Sequence, residues 1–273
     1  MGVIISLPVS ILLLWLVLKP KKNDPFPKGG LARLVIAGLL CTFVAGILSQ
    51  VFSLILVAIR IGPANLTEVI NKLRSDMAGA TELMQSLSPK GRSPLWTLFT
   101  TLITAGLLEE LCKYFACRVA IRKEGMLRTW MDSVICFTVV GLVFQILENF
   151  LYGGQYGVIT AIFRNLAPGH FIFGVMMGWY FGKYLITGEK KYRFQSILWP
   201  AVIHTLYDTA LKLMPAGESV EENSSDTIFI ILGLLAFVAA FVMTIVVIVK
   251  LVRWRKKGTL DVPVSTVPTA PAP

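Results

Sequence analysis

The chain has 273 residues, of which 55% are hydrophobic and 15% charged, and its mean hydropathy is +0.70. This composition lies outside the range of soluble globular domains and indicates a membrane protein without a sizeable soluble domain. The net charge of +10 could in principle serve nucleic-acid binding, but its distribution along the chain argues against that function.

Apolar stretches close to the length needed to cross a bilayer recur along the whole chain. We predict seven spans, at residues 3–18, 34–59, 95–117, 133–152, 168–187, 195–213 and 227–249. The first is short, but basic residues follow it rather than precede it, which favours a retained span over a cleaved signal peptide. The sequence therefore predicts an all-α, polytopic membrane bundle of about seven transmembrane helices over residues 1–253.

Lysine and arginine residues are concentrated in alternate connections between these spans. Groups of five, four, four and five of the 26 basic residues lie at or just beyond the ends of spans one, three, five and seven. Cytoplasmic loops are enriched in basic residues, and a single topology places all four groups in the cytoplasm. We therefore expect the N-terminus outside and the C-terminus in the cytoplasm, with a lipid bilayer and no nucleic acid as partner.

Two segments fall outside the predicted spans. Residues 62–93 carry apolar residues at a spacing of three and four, which predicts an amphipathic helix on the extracytoplasmic membrane surface. This helix is either a topological connector or a functional element, which would be a gate or a substrate-docking ledge over the bundle. Residues 254–273 are rich in Pro, Thr and Val and are expected to form a disordered cytoplasmic tail.

Ionisable residues occur inside the predicted spans, as pairs with a spacing of four residues. The pairs are Glu109 with Lys113, Glu148 with Tyr152, His170 with Gly174, and His204 with Asp208. This spacing places both members of a pair on one face of a helix. Ionisable groups at bilayer depth are costly, so each pair indicates a functional site in the bundle interior.

Each pair also has a structural interpretation. An ion pair between Glu109 and Lys113 would lock helix packing, but it leaves the adjacent Glu110 unpaired. A hydrogen bond from His204 to Asp208 would fix the histidine tautomer, as in many catalytic sites, or simply bridge two helices. The small residues on the His170 face suit either an approaching substrate or a packed neighbouring helix.

The four motifs together are more specific than any one of them. The order E-E-x-x-K, F-x-x-x-E-N-x-x-Y, H-x-x-x-G and H-x-x-x-D within residues 95–213 resembles the PrsW family of intramembrane proteases. That family lies in a superfamily with the CAAX prenyl endopeptidases and the abortive-infection membrane proteins. The CAAX enzymes have histidine and asparagine where this chain has Glu148 and Asp208, which argues against prenyl-protein processing.

The resemblance implies a multi-pass cell-membrane protease that makes the first cut in a membrane-anchored anti-sigma factor. The expected catalytic residues are Glu109, Glu110, Glu148, His170, His204 and Asp208, with Lys113, Asn149, Tyr152 and Gly174 in support. Glu109 would activate water, and Glu110 and Glu148 would hold or reprotonate that water and the leaving amine. The histidines would donate to the oxyanion, Asp208 would orient His204, and Lys113 would balance the carboxylates.

The sequence leaves open whether the site holds a metal ion and which class of function the chain has. Glu109, His170 and His204 could hold zinc, since zinc accepts imidazole and carboxylate ligands. No H-E-x-x-H pair is present, however, and Lys113 adds positive charge beside such a site. We therefore expect a glutamate protease without a cofactor. The alternatives from other classes are an ion- or proton-coupled transporter or channel, and a non-catalytic membrane scaffold.

Overall fold

The computed structural model describes residues 2–22, 24–76, 79, 83, 93–214 and 224–264. Within these ranges the chain is helical, apart from turns, loops and one isolated β-bridge between Thr129 and Pro263. A helix lies at each of the seven positions where a span is predicted, so the all-α prediction is confirmed. The helices are α1 (Gly2–Leu18), α2 (Gly30–Ile61), α3 (Pro63–Leu73), α4 (Pro94–Ala120), α5 (Trp130–Leu166), α6 (Gly169–Thr187), α7 (Lys190–Leu213) and α8 (Ser224–Lys257).

Four of these helices are long and apolar enough to cross a membrane. They are α2, α4, the Trp130–Gly154 part of α5, and the Thr227–Lys257 part of α8. Large apolar side chains on α2 and α8, such as Leu40 and Leu235, are about three-fifths exposed, as expected of surfaces that face lipid. The α1 helix is shorter, while α6 and α7 carry the polar residues of the candidate site. The count of seven spans therefore stays a prediction.

The predicted amphipathic segment 62–93 is described only in part. Its first portion forms α3, which follows α2 after a single residue, Gly62, whose φ of 82° suits glycine. Pro63 stands at the first helical position, where its missing N–H costs no hydrogen bond. The rest of the segment beyond residue 76 lies largely outside the described residues.

Helix α6 packs antiparallel against α5 through glycines. A Cβ atom added at Gly174 would lie 2.8 Å from Thr138 Cα, and one added at Gly178 would lie 2.5 Å from Val134 Cα. The partner atoms belong to the backbone and cannot move aside, so only glycine permits this approach. The sequence left two roles for Gly174, contact with a substrate or packing against a helix. The structure supports helix packing.

The far end of α5 turns back on itself. Arg164 contacts Glu148 and Asn149, whereas a straight helix would hold residues 148 and 164 about 24 Å apart. The helical run must therefore reverse direction between Tyr152 and Arg164. Three pairs of residues are in contact: 148 with 164, 138 with 174, and 134 with 178. Each pair has its midpoint in the sequence at residue 156. The end of α5 therefore continues the antiparallel pairing that α5 makes with α6.

The segment after α8 is packed rather than disordered, which corrects the prediction for the first part of residues 254–273. Leu260 is completely buried. Its carbonyl accepts a hydrogen bond from the Met131 amide at 2.9 Å, and the Val262 carbonyl accepts one from the Trp130 amide at 3.0 Å. These bonds satisfy amides at the start of α5 that have no partner within the helix. Residues 265–273 lie outside the described part of the chain.

Candidate active site

Helix α4 changes its geometry just before the paired glutamates. Residues Leu102–Leu107 form a π-helical segment, after which the regular α-helix resumes. Such segments shift the helical phase and are frequent at functional sites. A Cβ atom added at Gly106, within the segment, would lie 1.9 Å from Thr205 Oγ1 and 2.7 Å from the Ala201 carbonyl oxygen. The glycine therefore lets α4 approach α7 closely, which brings the following glutamates against α7.

Lys113 is the centre of a buried polar cluster. Its Nζ lies 2.7 Å from Glu110 Oε1, 3.3 Å from Glu109 Oε2 and 2.9 Å from His170 Nδ1. The ammonium also lies 4.0 Å from the centre of the Phe144 ring, in cation–π geometry. Lys113 is only 3% exposed, so its charge is compensated by these groups rather than by water. The predicted pair with Glu109 exists, and Glu110 is the closer partner.

His204 is held by Glu110 more closely than by Asp208. Its Nδ1 lies 2.9 Å from Glu110 Oε1, and because an ionised carboxylate only accepts, Nδ1 carries the donated proton. Its Nε2 lies 3.6 Å from Asp208 Oδ2, which is beyond hydrogen-bond distance. The imidazole also stacks on Phe173, with ring centres 4.8 Å apart. The orienting role expected of Asp208 stays a prediction, and Glu110, which the sequence did not link to His204, makes the closer contact.

His170 bridges Lys113 and Glu148. An ammonium group only donates, so Nδ1 accepts from Lys113, and the opposite nitrogen Nε2 donates to Glu148 Oε2 at 2.6 Å. The His170 and His204 rings meet edge to face, with centres 5.2 Å apart. The two histidines of the chain, which lie on different helices, are thus brought together with a lysine and four carboxylates, those of Glu109, Glu110, Glu148 and Asp208.

Glu109 and Glu110 have different environments although they are adjacent in sequence. The Glu110 side chain is fully buried and paired, whereas the Glu109 side chain is 13% exposed. Glu109, His170 and His204 each offer one ligand atom, and these three atoms lie within 4.8 Å of one another. Two imidazoles and one carboxylate are a donor set that catalytic zinc sites use, so the residue types fit such an ion. Lys113 contacts two of the three residues.

A small cavity of about 20 Å³ lies beside the cluster, which gives room for about one water molecule. His170, His204 and Asp208 line it together with Arg164 and Tyr207. The imidazole rings and a carboxylate would supply the polar partners that a bound water needs. The cavity is therefore suited to holding a single water beside the two histidines. Glu109 does not line it, but one Glu109 oxygen lies within 4.8 Å of a ring nitrogen of each histidine.

Arg164 is a site residue that the sequence analysis missed. Its Nε donates to Asn149 Oδ1 at 2.8 Å, its Nη2 donates to Glu148 Oε2, and its guanidinium lies 4.2 Å from the centre of the Tyr152 ring. All three polar members of the E-N-x-x-Y motif thus contact one arginine, and the Tyr152 ring packs on its guanidinium. The sequence offers one clue, because Arg164 is a basic residue in a predicted outer connection, where such residues are few.

The comparison with protein families identifies a match over most of the chain. Residues 27–249 match the model described as "PrsW family intramembrane metalloprotease". This range includes every predicted site residue and Arg164. No solved structure matches the chain.

Curated relatives match a smaller part of the chain, and they are named after the same family. The chain is 36% identical over 113 residues to "Protease PrsW" of Geobacillus kaustophilus, a match covering 40% of the chain and 50% of the relative. It is 32% identical over 120 residues to "Protease PrsW" of Bacillus subtilis, covering 42% of the chain and 55% of the relative. The chain thus spans about half the length of the curated relatives it matches.

Proposed function

The chain belongs to the PrsW family, and from this membership and the geometry of the polar cluster we propose that it is an intramembrane endopeptidase. Its substrate would be a membrane-anchored protein, and the reaction would be hydrolysis of a peptide bond. The observation that carries the proposal is the convergence of Glu109, His170 and His204, whose ligand atoms lie within 4.8 Å of one another. The two histidines also line a cavity of one-water size. We also propose that the chain is related to the CAAX prenyl endopeptidases and the abortive-infection membrane proteins.

Glu109 is the group best placed to act as the general base. It is the less buried of the paired glutamates, and its contact with Lys113 at 3.3 Å is the longer of the two. A carboxylate at this position can take a proton from water as the water attacks the substrate carbonyl, and then return a proton to the leaving amine. Glu110 is instead occupied by Lys113 and His204, so we assign it to positioning.

Of the two histidines, His204 would act on the substrate carbonyl oxygen. Nε2 of His204 lies beyond hydrogen-bond distance of Asp208, so a protonated Nε2 is available to donate to the developing oxyanion. His170 also lines the small cavity, and it links Lys113 to Glu148. Glu148 would support reprotonation of the leaving group through His170, and Asp208 would stabilise the positive form of His204.

A zinc-dependent mechanism is the second candidate, favoured by the family description and by the donor set. Glu109, His170 and His204 would hold the ion, which would supply an activated water at neutral pH. The Glu110 hydrogen bond to His204 Nδ1 would then orient a ligand, as outer-shell carboxylates do. We favour the metal-independent mechanism because Lys113 lies 2.9 Å from His170 Nδ1, a nitrogen that would otherwise be available to the ion.

We also propose that the site opens toward the extracytoplasmic side and that the substrate is an anti-sigma factor. The distribution of basic residues supports the orientation, since it places the connection after Lys212 outside. The substrate rests on the family resemblance. Proteomics of single-span proteins in membranes that contain the wild-type chain or Glu109→Gln would identify the substrate as a protein that is shortened by the wild type alone.

Purified protein then tests the function and the role of metal. The wild type and the control Glu124→Gln, a change at an exposed residue, are expected to cleave the identified protein, whereas Glu109→Gln is not. Cleavage that survives prolonged dialysis against a chelator supports the metal-independent mechanism. Activity that is lost on dialysis and returns with added zinc assigns the zinc mechanism instead. Proton or ion flux through proteoliposomes without any cleavage would support a transporter.

A further inference from the structure

Two large cavities lie near the polar cluster, and only one of them shares lining residues with the small cavity beside the cluster. A cleft of about 420 Å³ lies between the end of α5, α7 and α8. It shares Arg164, Tyr207 and Asp208 with the small cavity that His170 and His204 line. A group in the cleft therefore contacts three side chains that also line the cavity of the histidines. We call this space the α8 cleft.

The larger cavity is a groove of about 920 Å³ between α2 and α4. It shares no lining residue with the small cavity. Its lining is apolar except for Arg33 at one end, and it includes the native cysteines Cys41 and Cys112. This surface suits lipid chains, and its volume alone does not make it an entry route. We call it the α2 groove and use it as the internal control.

The lining of the α8 cleft is divided between polar and apolar residues. Arg164, Asp208 and Tyr207 are at the end shared with the small cavity, and Lys212 follows Asp208 by one turn of α7. The remaining wall is mainly apolar, contributed by Phe163, Leu211, Met214, Gly233, Leu234 and Phe237. A cleft of this kind accepts a chain with apolar side chains on one side and hydrogen-bonding backbone groups on the other.

The polar end of the cleft decides the conformation of that chain, since the volume alone would admit either one helical turn or an extended segment of a few residues. A helical peptide keeps its carbonyl groups in internal hydrogen bonds, out of reach of donors such as Arg164. An extended segment instead presents its carbonyl groups to the polar end and its side chains to α8.

We propose that the α8 cleft binds an extended, apolar segment of the substrate around the cleaved bond. The segment's carbonyl groups face Arg164 and Tyr207, and its side chains pack on Leu234 and Phe237. This inference rests on the proposed function. It adds the route by which a substrate reaches the site and the class of segment selected, one rich in Leu, Ile, Val, Phe or Met.

Cysteine cross-linking tests binding separately from cleavage. The probe is a set of single-span reporter proteins, each with a randomised segment beside its membrane anchor and a single cysteine in that segment. They are reconstituted with Glu109→Gln protein that also carries Leu234→Cys in the α8 cleft or Leu40→Cys in the α2 groove. The two leucines are 52% and 60% exposed, so they form a matched pair, and Glu109→Gln with native cysteines gives the background.

We expect disulfide formation with the randomised segment to be about tenfold higher at position 234 than at position 40, a difference equivalent to 1.4 kcal/mol. The recovered segments should be enriched in apolar residues. In the otherwise wild-type enzyme, Leu234→Trp should lower cleavage of these reporters about tenfold by filling the cleft, while Leu40→Trp should not.

Equal cross-linking at positions 40 and 234, no cross-linking above background at 234, or full cleavage by Leu234→Trp overturns the cleft assignment. Enrichment of charged rather than apolar segments overturns the proposed class of segment. Strong cross-linking at 234 without cleavage by the wild type has a different meaning. It supports the cleft as a binding site and contradicts the proposed protease function.

Discussion

At the residue scale, the two adjacent glutamates show how environment separates roles that the sequence leaves equivalent. Glu110 is fully buried between Lys113 and His204, while Glu109 is partly exposed beside both histidines. The helical spacing of Glu109 and Lys113 predicted their contact correctly. It could not predict the Glu110 hydrogen bond to His204, because that bond depends on how closely α4 approaches α7.

Substitution by glutamine should therefore lower mainly the stability at position 110 and mainly the activity at position 109. Glu110→Gln leaves the buried Lys113 with a weaker partner, so we expect a loss of about 3 kcal/mol in stability. Glu109→Gln should abolish cleavage with little change in stability. Thermal unfolding in detergent, measured alongside cleavage, checks both. Equal destabilisation by the two variants would contradict the division of roles.

Arg164 gives a second prediction at this scale. Its planar guanidinium holds Glu148, Asn149 and Tyr152 together. A lysine ammonium keeps the charge but lacks this planar arrangement of donors. We expect cleavage to fall about 10-fold in Arg164→Lys and about 100-fold in Arg164→Gln, as for residues that orient a catalytic group. Arg33→Gln, at an exposed arginine of the α2 groove, should retain full activity.

The pH profile of cleavage separates this positioning role from a general loss of folding. Because Arg164 compensates the charge of Glu148, Arg164→Gln should displace the acidic limb of the profile while Arg33→Gln leaves it in place. An Arg164→Gln protein that folds normally and cleaves at the wild-type rate with an unchanged profile would show that the arginine does not position the site.

At the scale of elements, glycines set the distances between helices. The sequence showed that Gly174 and Gly178 lie one turn apart, but it left open whether a helix or a substrate approaches them. The structure places the α5 backbone against both. The π-helical segment of α4 and the reversal of α5 were not predictable, because a single π turn and a bend leave no periodic pattern in the residues.

Alanine substitution at two helical glycines tests this packing. In Gly174→Ala the new Cβ would meet Thr138 Cα at 2.8 Å and the Phe137 carbonyl oxygen at 2.9 Å, so we expect a loss of about 1–3 kcal/mol. In Gly46→Ala, within α2, nothing lies within 4 Å of the new atom, and alanine should be neutral or slightly stabilising. Similar unfolding temperatures for both variants would contradict the packing role of Gly174.

At the scale of the whole molecule, hydrophobicity gave the positions of the helices because each span needs a long apolar stretch, and all seven predicted positions hold a helix. Membrane topology depends on charge placement relative to a bilayer, so it remains a prediction. The docking of the tail through Leu260 was missed, because it depends on main-chain hydrogen bonds to Trp130 and Met131 that no residue pattern records.

Reporter fusions along the chain test the predicted topology of seven spans. Fusions at Lys22, Lys123, Lys190 and Lys256 should report a cytoplasmic location, and fusions at Ala80 and Glu221 an extracytoplasmic one, because the basic connections stay inside. Fusions are made in the full-length chain by insertion, so that the bundle stays intact. Reversal of two or more of these positions would contradict the orientation and the proposed side of cleavage.

The central claim is that this site hydrolyses a peptide bond with water activated by Glu109. The most direct measurement is mass spectrometry of the cleavage products formed in water enriched in heavy oxygen. The wild type should release a product whose new C-terminal carboxylate carries one heavy oxygen atom, and Glu109→Gln should release no product. Unlabelled product, or equal labelled product from the Glu109→Gln protein, would contradict the account.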